Sequence, residues 1–270
     1  MNLDFLSVPM GWLVKIIYNF VAPIDNSVVS AYAIAIILST IVIKLLMVPL
    51  TIKQNKSMKV MKDLGPQIED LKEKYGKDPQ TFQRKQMELY KENNYSPFAG
   101  CLPLLIQLPL IMAFFYVIQQ PVRYVFGGDQ AFFDGINKSF IWIKDLTYAA
   151  GHVFTEGTYA NQMNGIYMGF NIPLIGQALP ILAGISAFTT YLTSKMMSTA
   201  QAGAMNEQQQ ASQNMMSIMM PIMIFFMSLN FPSGLVLYWV VGNVFQLLQQ
   251  IVFFKIADAT KNSEVEKKDK

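Results

Sequence analysis

VVSAYAIAIILSTIVIKLLMVPL, residues 28–50, carries a single charged side chain, Lys44. A helix rises about 1.5 Å per residue and a bilayer core is about 30 Å thick, so roughly 20 apolar residues cross it. The stretch therefore reads as a membrane span. Working outward, four more runs have the length and no charge at all: residues 97–119, 173–194, 212–230 and 233–254. Only Phe231 and Pro232 separate the last two, and Ser233-Gly234 follow, which is a turn signal. Those two spans form a tight helical hairpin. The whole chain fits this reading. Of its 270 residues 52% are apolar and 14% charged, against about 25% charged in a soluble domain.

Composition also excludes. One cysteine, Cys101, rules out a disulfide scaffold, and a lone His152 beside it makes a His/Cys metal site implausible. A net charge of +3 gives no argument for nucleic acid. A GxxxxGK[ST] phosphate loop is missing, so no internal nucleotide motor is expected. A Ser-His-Asp set has no histidine in the spans. Proton-coupled carriers need intramembrane carboxylates or histidine, and the five runs have none. Neither an enzyme nor a cofactor is expected.

The segment 1–27 reads differently. Leu13, Ile16, Ile17, Phe20 and Val21 recur at helical spacing, with Lys15 and Asn19 elsewhere on the wheel. This suits an interfacial amphipathic helix beginning near Trp12. A secretory signal peptide is the alternative, opposed by Lys15 within the apolar run and by the lack of a small-x-small site. Lys and Arg set the orientation. Loop 51–96 holds ten of them, loop 120–172 only Arg123, Lys138 and Lys144. Loop 51–96, loop 195–211 and tail 255–270 are therefore expected in the cytoplasm, and the N-terminus outside. Within 51–96, Met58, Met61, Leu64, Ile68, Leu71 and Tyr75 share one helix face. Gly76 stops that helix, and Asp78-Pro79 starts another that carries Phe82, Gln86, Leu89 and Tyr90. A helical hairpin follows, with an apolar seam and a basic exterior. That exterior is either a docking face or merely solvated.

Lys44 lies six residues before Leu50, about 9 Å inside its helix. A lysine near the bilayer centre costs roughly 2.5–3.5 kcal/mol on insertion scales. It either snorkels to the surface or stands in a water-filled cavity as a fixed positive charge. Polar neighbours favour the cavity. Thr40 is one turn before it, Gln107 sits between Pro103 and Pro109, and Trp239, Asn243, Gln246 and Gln250 form a stripe on the last span. Plain helix–helix hydrogen bonding is the other account of that stripe. Nine of the 18 methionines fall within 196–227, which suits an adaptable apolar surface or ordinary lipid packing.

Three segments resemble the YidC-type membrane protein insertases of bacteria, mitochondria and thylakoids. They are IVIKLLMVPLTIKQNKSM (41–58), NNYSPFAGCLPLLIQLPLIMAFFYVI (93–118) and FPSGLVLYWVVGNVFQLLQQ (231–250). The resemblance implies an all-α polytopic protein of the bacterial cytoplasmic membrane, with five transmembrane helices, an N-terminal interfacial helix and a cytoplasmic helical hairpin. It implies a hydrophilic groove open to the cytosol and to lipid and closed on the outer side, through which single- and double-span nascent proteins are inserted, alone or beside the Sec translocon. A membrane-embedded assembly chaperone is the alternative. The groove charge falls on Lys44, where most relatives have arginine. Gln107, Tyr238 and Trp239 fall where relatives line the groove or touch substrate. Long basic tails in some relatives bind ribosomes, whereas the tail here is short and of mixed charge.

Overall fold

The computed structural model describes residues 3–95, 102–149, 164, 166–172, 176–201 and 207–268. Residues 97–101 of the second expected span, Cys101, His152 and part of the 195–211 loop lie outside them. The described residues form an all-α protein with one small β-hairpin. In order they are α1 (Asp4–Val21), α2 (Ala31–Tyr75), α3 (Pro79–Glu92), α4 (Leu102–Gln119), α5 (Pro121–Tyr124), α6 (Gln130–Gly135), β1 (Ile166–Ile172), β2 (Gly176–Leu179), α7 (Ile181–Gln201), α8 (Glu207–Ser228) and α9 (Ser233–Lys268). Three helical stretches are long and apolar enough to cross a membrane: Asp4–Ile24, Ala31–Tyr75 and Ser233–Phe253. Leu105–Gln119 and Asn214–Ser228 are shorter apolar helices.

Several expected boundaries differ. The helix expected from residue 173 begins at Ile181, and Gly176–Leu179 is instead a strand antiparallel to β1. Pro180 accounts for this, since its ring would clash with a carbonyl one turn earlier in a continuous helix. Helix α1 starts at Asp4 rather than near Trp12, running through Pro9. The Asp4 carboxylate holds that first turn in place, accepting from Arg123 Nη2 at 3.0 Å and Tyr124 Oη at 2.7 Å. The buried face of α1 is Ser7, Met10, Gly11, Val14, Tyr18 and Val21. Its other face, with Phe5, Trp12, Ile16 and Phe20, is exposed and also apolar. Helix α2 does not stop at residue 50; it passes through Pro49 and Pro66 to Tyr75. Helix α9 likewise continues beyond residue 254.

The chain divides into two compact units. The first comprises Met1–Leu45, Ile106–Thr190 and Met220–Asn243. Here α1 packs on α5, closely enough that a Cβ on Gly11 would clash with the Tyr124 carbonyl. Ser7 Oγ donates to the Ala113 carbonyl of α4 at 3.3 Å. Tyr18, Tyr32, Phe126, Phe132 and Phe133 form one aromatic cluster, mostly edge-to-face or tilted. Ser30 Oγ accepts from Ala33 N and caps the start of α2. Lys138 Nζ donates to the carbonyls of Phe133 at 2.8 Å and Ile136 at 2.9 Å, closing the end of α6. Burial pushes its ammonium pKa down, against the opposing pull of Asp145 and Asp134.

The second unit comprises Leu46–Leu105, Tyr191–Met219 and Val244–Lys270. Its core is the seam of the α2–α3 hairpin: Met61, Leu64, Ile68, Phe82, Tyr90 and Tyr95, flanked by Leu71, Tyr75 and Leu89. Tyr90 and Tyr95 meet at 5.0 Å between ring centroids. Helix α3 starts at the Asp78 cap, whose side chain accepts from Gln80 N and Thr81 N at 3.2 Å and from Thr81 Oγ1 at 2.6 Å. The Thr81 hydroxyl first, then the amides, hold the Asp78 carboxyl below its usual range. A depressed carboxylate contributes stability above its unfolded value, about 3.9, and loses it as pH falls through the lower folded value. Amide-exchange protection at Gln80 and Thr81 is thus expected to hold at neutral pH and to fade on acidification below that window. In Asp78→Ala it is several-fold weaker at neutral pH, and the difference from the parent narrows below that window.

Candidate functional site

The site lies within the first unit, where α2, α4 and α9 meet. Helix geometry places its parts in layers. Ile36 on α2, Ile118 on α4 and Gly234 on α9 form one layer, because a Cβ on Gly234 would stand 3.3 Å from Ile36 Cδ1 and 3.5 Å from Ile118 Cδ1. Eight residues further along both α2 and α9, about 12 Å away, come Lys44 and Gly242. Here a Cβ on Gly242 would lie 3.0 Å from Lys44 Cε. Glycine at 242 therefore makes room for the lysine stem. Between the layers, Phe114 and Tyr238 stack at 4.2 Å with 17° between ring planes. Both rings are almost wholly buried.

Lys44 Nζ donates to Gln107 Oε1 at 3.1 Å. Gln107 Nε2 in turn donates to Tyr238 Oη at 3.2 Å. One relay thus joins α2, α4 and α9, with its cation at one end. Among the described residues no carboxylate pairs with Lys44. A neutral hydrogen bond inside a membrane averages about 0.6 kcal/mol, and one donated by an ammonium is roughly twice as strong, so about 1 kcal/mol here. The lysine costs roughly 2.5–3.5 kcal/mol. Gln107 alone cannot offset it, and the half-buried ammonium needs water or a negative group from elsewhere.

The other expected residues divide. Thr40 is fully buried, and its hydroxyl donates to its own helix, to the Ile36 carbonyl at 2.7 Å. It is not offered to Lys44. Trp239 stands half-buried beside Tyr238, outside the relay. Asn243 Nδ2 donates to Thr190 Oγ1 at 2.8 Å and Thr189 Oγ1 at 3.2 Å, tying α9 to α7. Ser186 and Ser228 make a similar hydroxyl contact between α7 and α8, at 3.2 Å. Gln246 belongs to the second unit, with Nε2 3.8 Å from Met197 Sδ. The stripe on α9 is thus partly helix–helix glue. Gly242 and Phe114 join the site without having been expected. Their only sequence signal was a small residue and an aromatic one at a helical turn from a polar residue.

Residues 24–261 match the family model described as 60Kd inner membrane protein. A membrane protein insertase YidC of Clostridium perfringens is 37% identical over 257 residues, covering 93% of this chain and 90% of the relative. That of Caldanaerobacter subterraneus is 30% identical over 250 residues, covering 93% and 94%. YidC 1 of Listeria monocytogenes is 36% identical over 228 residues, 82% of this chain but 63% of that longer protein. The family is one of membrane insertases rather than enzymes. The apolar helices, the relay within them and these relatives agree: the chain is a multi-pass bacterial membrane protein belonging to the 60Kd inner membrane protein family, alongside the YidC insertases.

Proposed function

We propose that the chain inserts short-tailed proteins into the cytoplasmic membrane through a wet groove around the Lys44–Gln107–Tyr238 relay. One observation carries this reading: a lysine within an apolar helix bundle, held by a neutral glutamine and lacking a carboxylate among the described residues. A permanent internal partner would have silenced the charge. Without one, it attracts an acidic segment in transit, and hydration around it lowers the cost of carrying polar groups part-way across. The apolar segment then leaves sideways into lipid, gaining about 0.8 kcal/mol per buried methylene. No nucleotide is needed.

The charge pattern supports five spans with the N-terminus outside and the tail inside, the basic α2–α3 hairpin meeting nascent chains in the cytoplasm. Helix α1, apolar on its exposed face, rests in the outer interface. Cooperation with the Sec translocon belongs to the same reading.

The test is reconstitution of the pure protein in Sec-free liposomes with a single-span substrate bearing an acidic N-terminal tail. Protease protection of that tail is expected. Its absence, with the protein shown to be folded, would move the function to assembly of segments already inserted.

A further inference from the structure

Among the described residues, one polar side chain outside the relay has six polar atoms within hydrogen-bond distance. Asn164 is fully buried. Its Oδ1 accepts from the backbone amides of Lys144 at 2.9 Å and Asp145 at 3.1 Å. Its Nδ2 faces four acceptors: the carbonyls of Asp145 at 3.0 Å, Tyr148 at 3.1 Å and Ala149 at 3.1 Å, and Ser233 Oγ at 3.3 Å. Ser233 completes the tie, donating both Oγ and N to the Tyr148 carbonyl at 2.8 Å. Gly234 N donates to the Leu146 carbonyl at 2.8 Å, and Ala149 bridges to Pro232. The segment 144–149 is thus laid across the first turn of α9.

What it covers matters. Leu146 is fully buried. Its carbonyl would stand 3.3 Å from a Cβ on Gly234, in the layer that also holds Ile36 and Ile118. That apolar layer is about 12 Å from Lys44 by helix rise, with the Phe114–Tyr238 stack between. We propose that Asn164 is the positioning residue of a seal. It pins the 144–149 segment, and Leu146 with it, over the start of α9, so that the Lys44–Gln107 site is shut at this end and is reached only from the other. This rests on the reading of the site as a wet groove. Closure on the outer side belongs to that reading; what is added is the residue that holds the closing segment in place.

The experiment is cysteine accessibility in membrane vesicles of both orientations, with Cys101 replaced and Gln107→Cys as reporter. Gln130→Cys, exposed on α6, marks the vesicle face that carries the seal. A charged, impermeant maleimide is expected to label Gln107→Cys only from the opposite face. Adding Asn164→Asp keeps the two accepted bonds and removes the amide's two N–H donors, which the four acceptors share. Labelling from the sealed face then rises roughly tenfold or more, as expected when a buried donor set is lost. Leu146→Ala, which leaves Asn164 untouched, gives the same result if Asn164→Asp fails to accumulate. Labelling of the parent from the sealed face would overturn the proposal. So would variants labelled only from the opposite face. Insertion by the unsubstituted protein in liposomes is scored separately; its loss would remove the insertion reading while the labelling still judges the seal.

Discussion

Lys44→Glu abolishes insertion of a substrate with an acidic translocated tail, and Lys44→Ala reduces it by roughly tenfold or more. A unit pair at 4 Å is worth about 1 kcal/mol in bulk water and about 4 kcal/mol at an effective dielectric of about 20. A half-buried ammonium lies between those limits, and each 1.4 kcal/mol is about tenfold. Alanine removes the attraction. Glutamate either repels an acidic tail when ionised or is neutral when protonated, and attracts it in neither form. Lys44→Arg keeps the charge and retains insertion. A substrate with an uncharged tail changes little across the series, because apolar transfer to lipid supplies its driving force. Protease protection in liposomes reads all of these. Normal insertion of acidic tails by Lys44→Glu would remove the electrostatic role and leave the lysine as a side chain that only reaches for water.

The relay was legible in the sequence for a simple reason: a charge and an amide stand out where nearly everything else is apolar. Lys44 and Gln107 are of this kind, and Tyr238 followed from the resemblance. What the sequence did not carry is where each polar group spends its hydrogen bond. Thr40 is on the right face, yet its hydroxyl returns to the Ile36 carbonyl. Asn243 lies in the polar stripe, yet it serves the α7 threonines. Type and spacing place a side chain on a face; they do not choose between its own backbone, a neighbouring helix and a groove. Gly242 illustrates the converse, because its meaning appears only once the facing Lys44 stem is known. The late start of α7 has a related cause. A short apolar run between Pro173 and Pro180 has no periodicity that separates strand from helix. Asn164 was hidden most deeply. Of the six polar atoms around its amide all but Ser233 Oγ are backbone, and backbone leaves no trace in side-chain patterning.

Gln107→Glu separates charge from shape more sharply than any change at Lys44. The new carboxylate replaces an amide of the same size whose oxygen already lies 3.1 Å from Lys44 Nζ. An intramembrane lysine and carboxylate pair readily, and the bond, already donated by an ammonium, becomes an ion pair with charge on both sides. Tyr238 loses the amide donor but turns its own hydroxyl toward the carboxylate, so no buried group is orphaned. The variant is therefore expected to melt in detergent no lower than the parent. Insertion of acidic tails should nevertheless fall to the level of Lys44→Ala, since the site is neutral as a whole. Exchanging the pair, Lys44→Gln with Gln107→Lys, keeps one cation and one amide on the same two helices and should recover most of that loss. If Gln107→Glu inserts acidic tails as well as the parent does, the positive charge is not what draws them. A defect in Lys44→Glu would then report damage to the relay that joins α2, α4 and α9, and the site would act through its hydration and packing rather than its field.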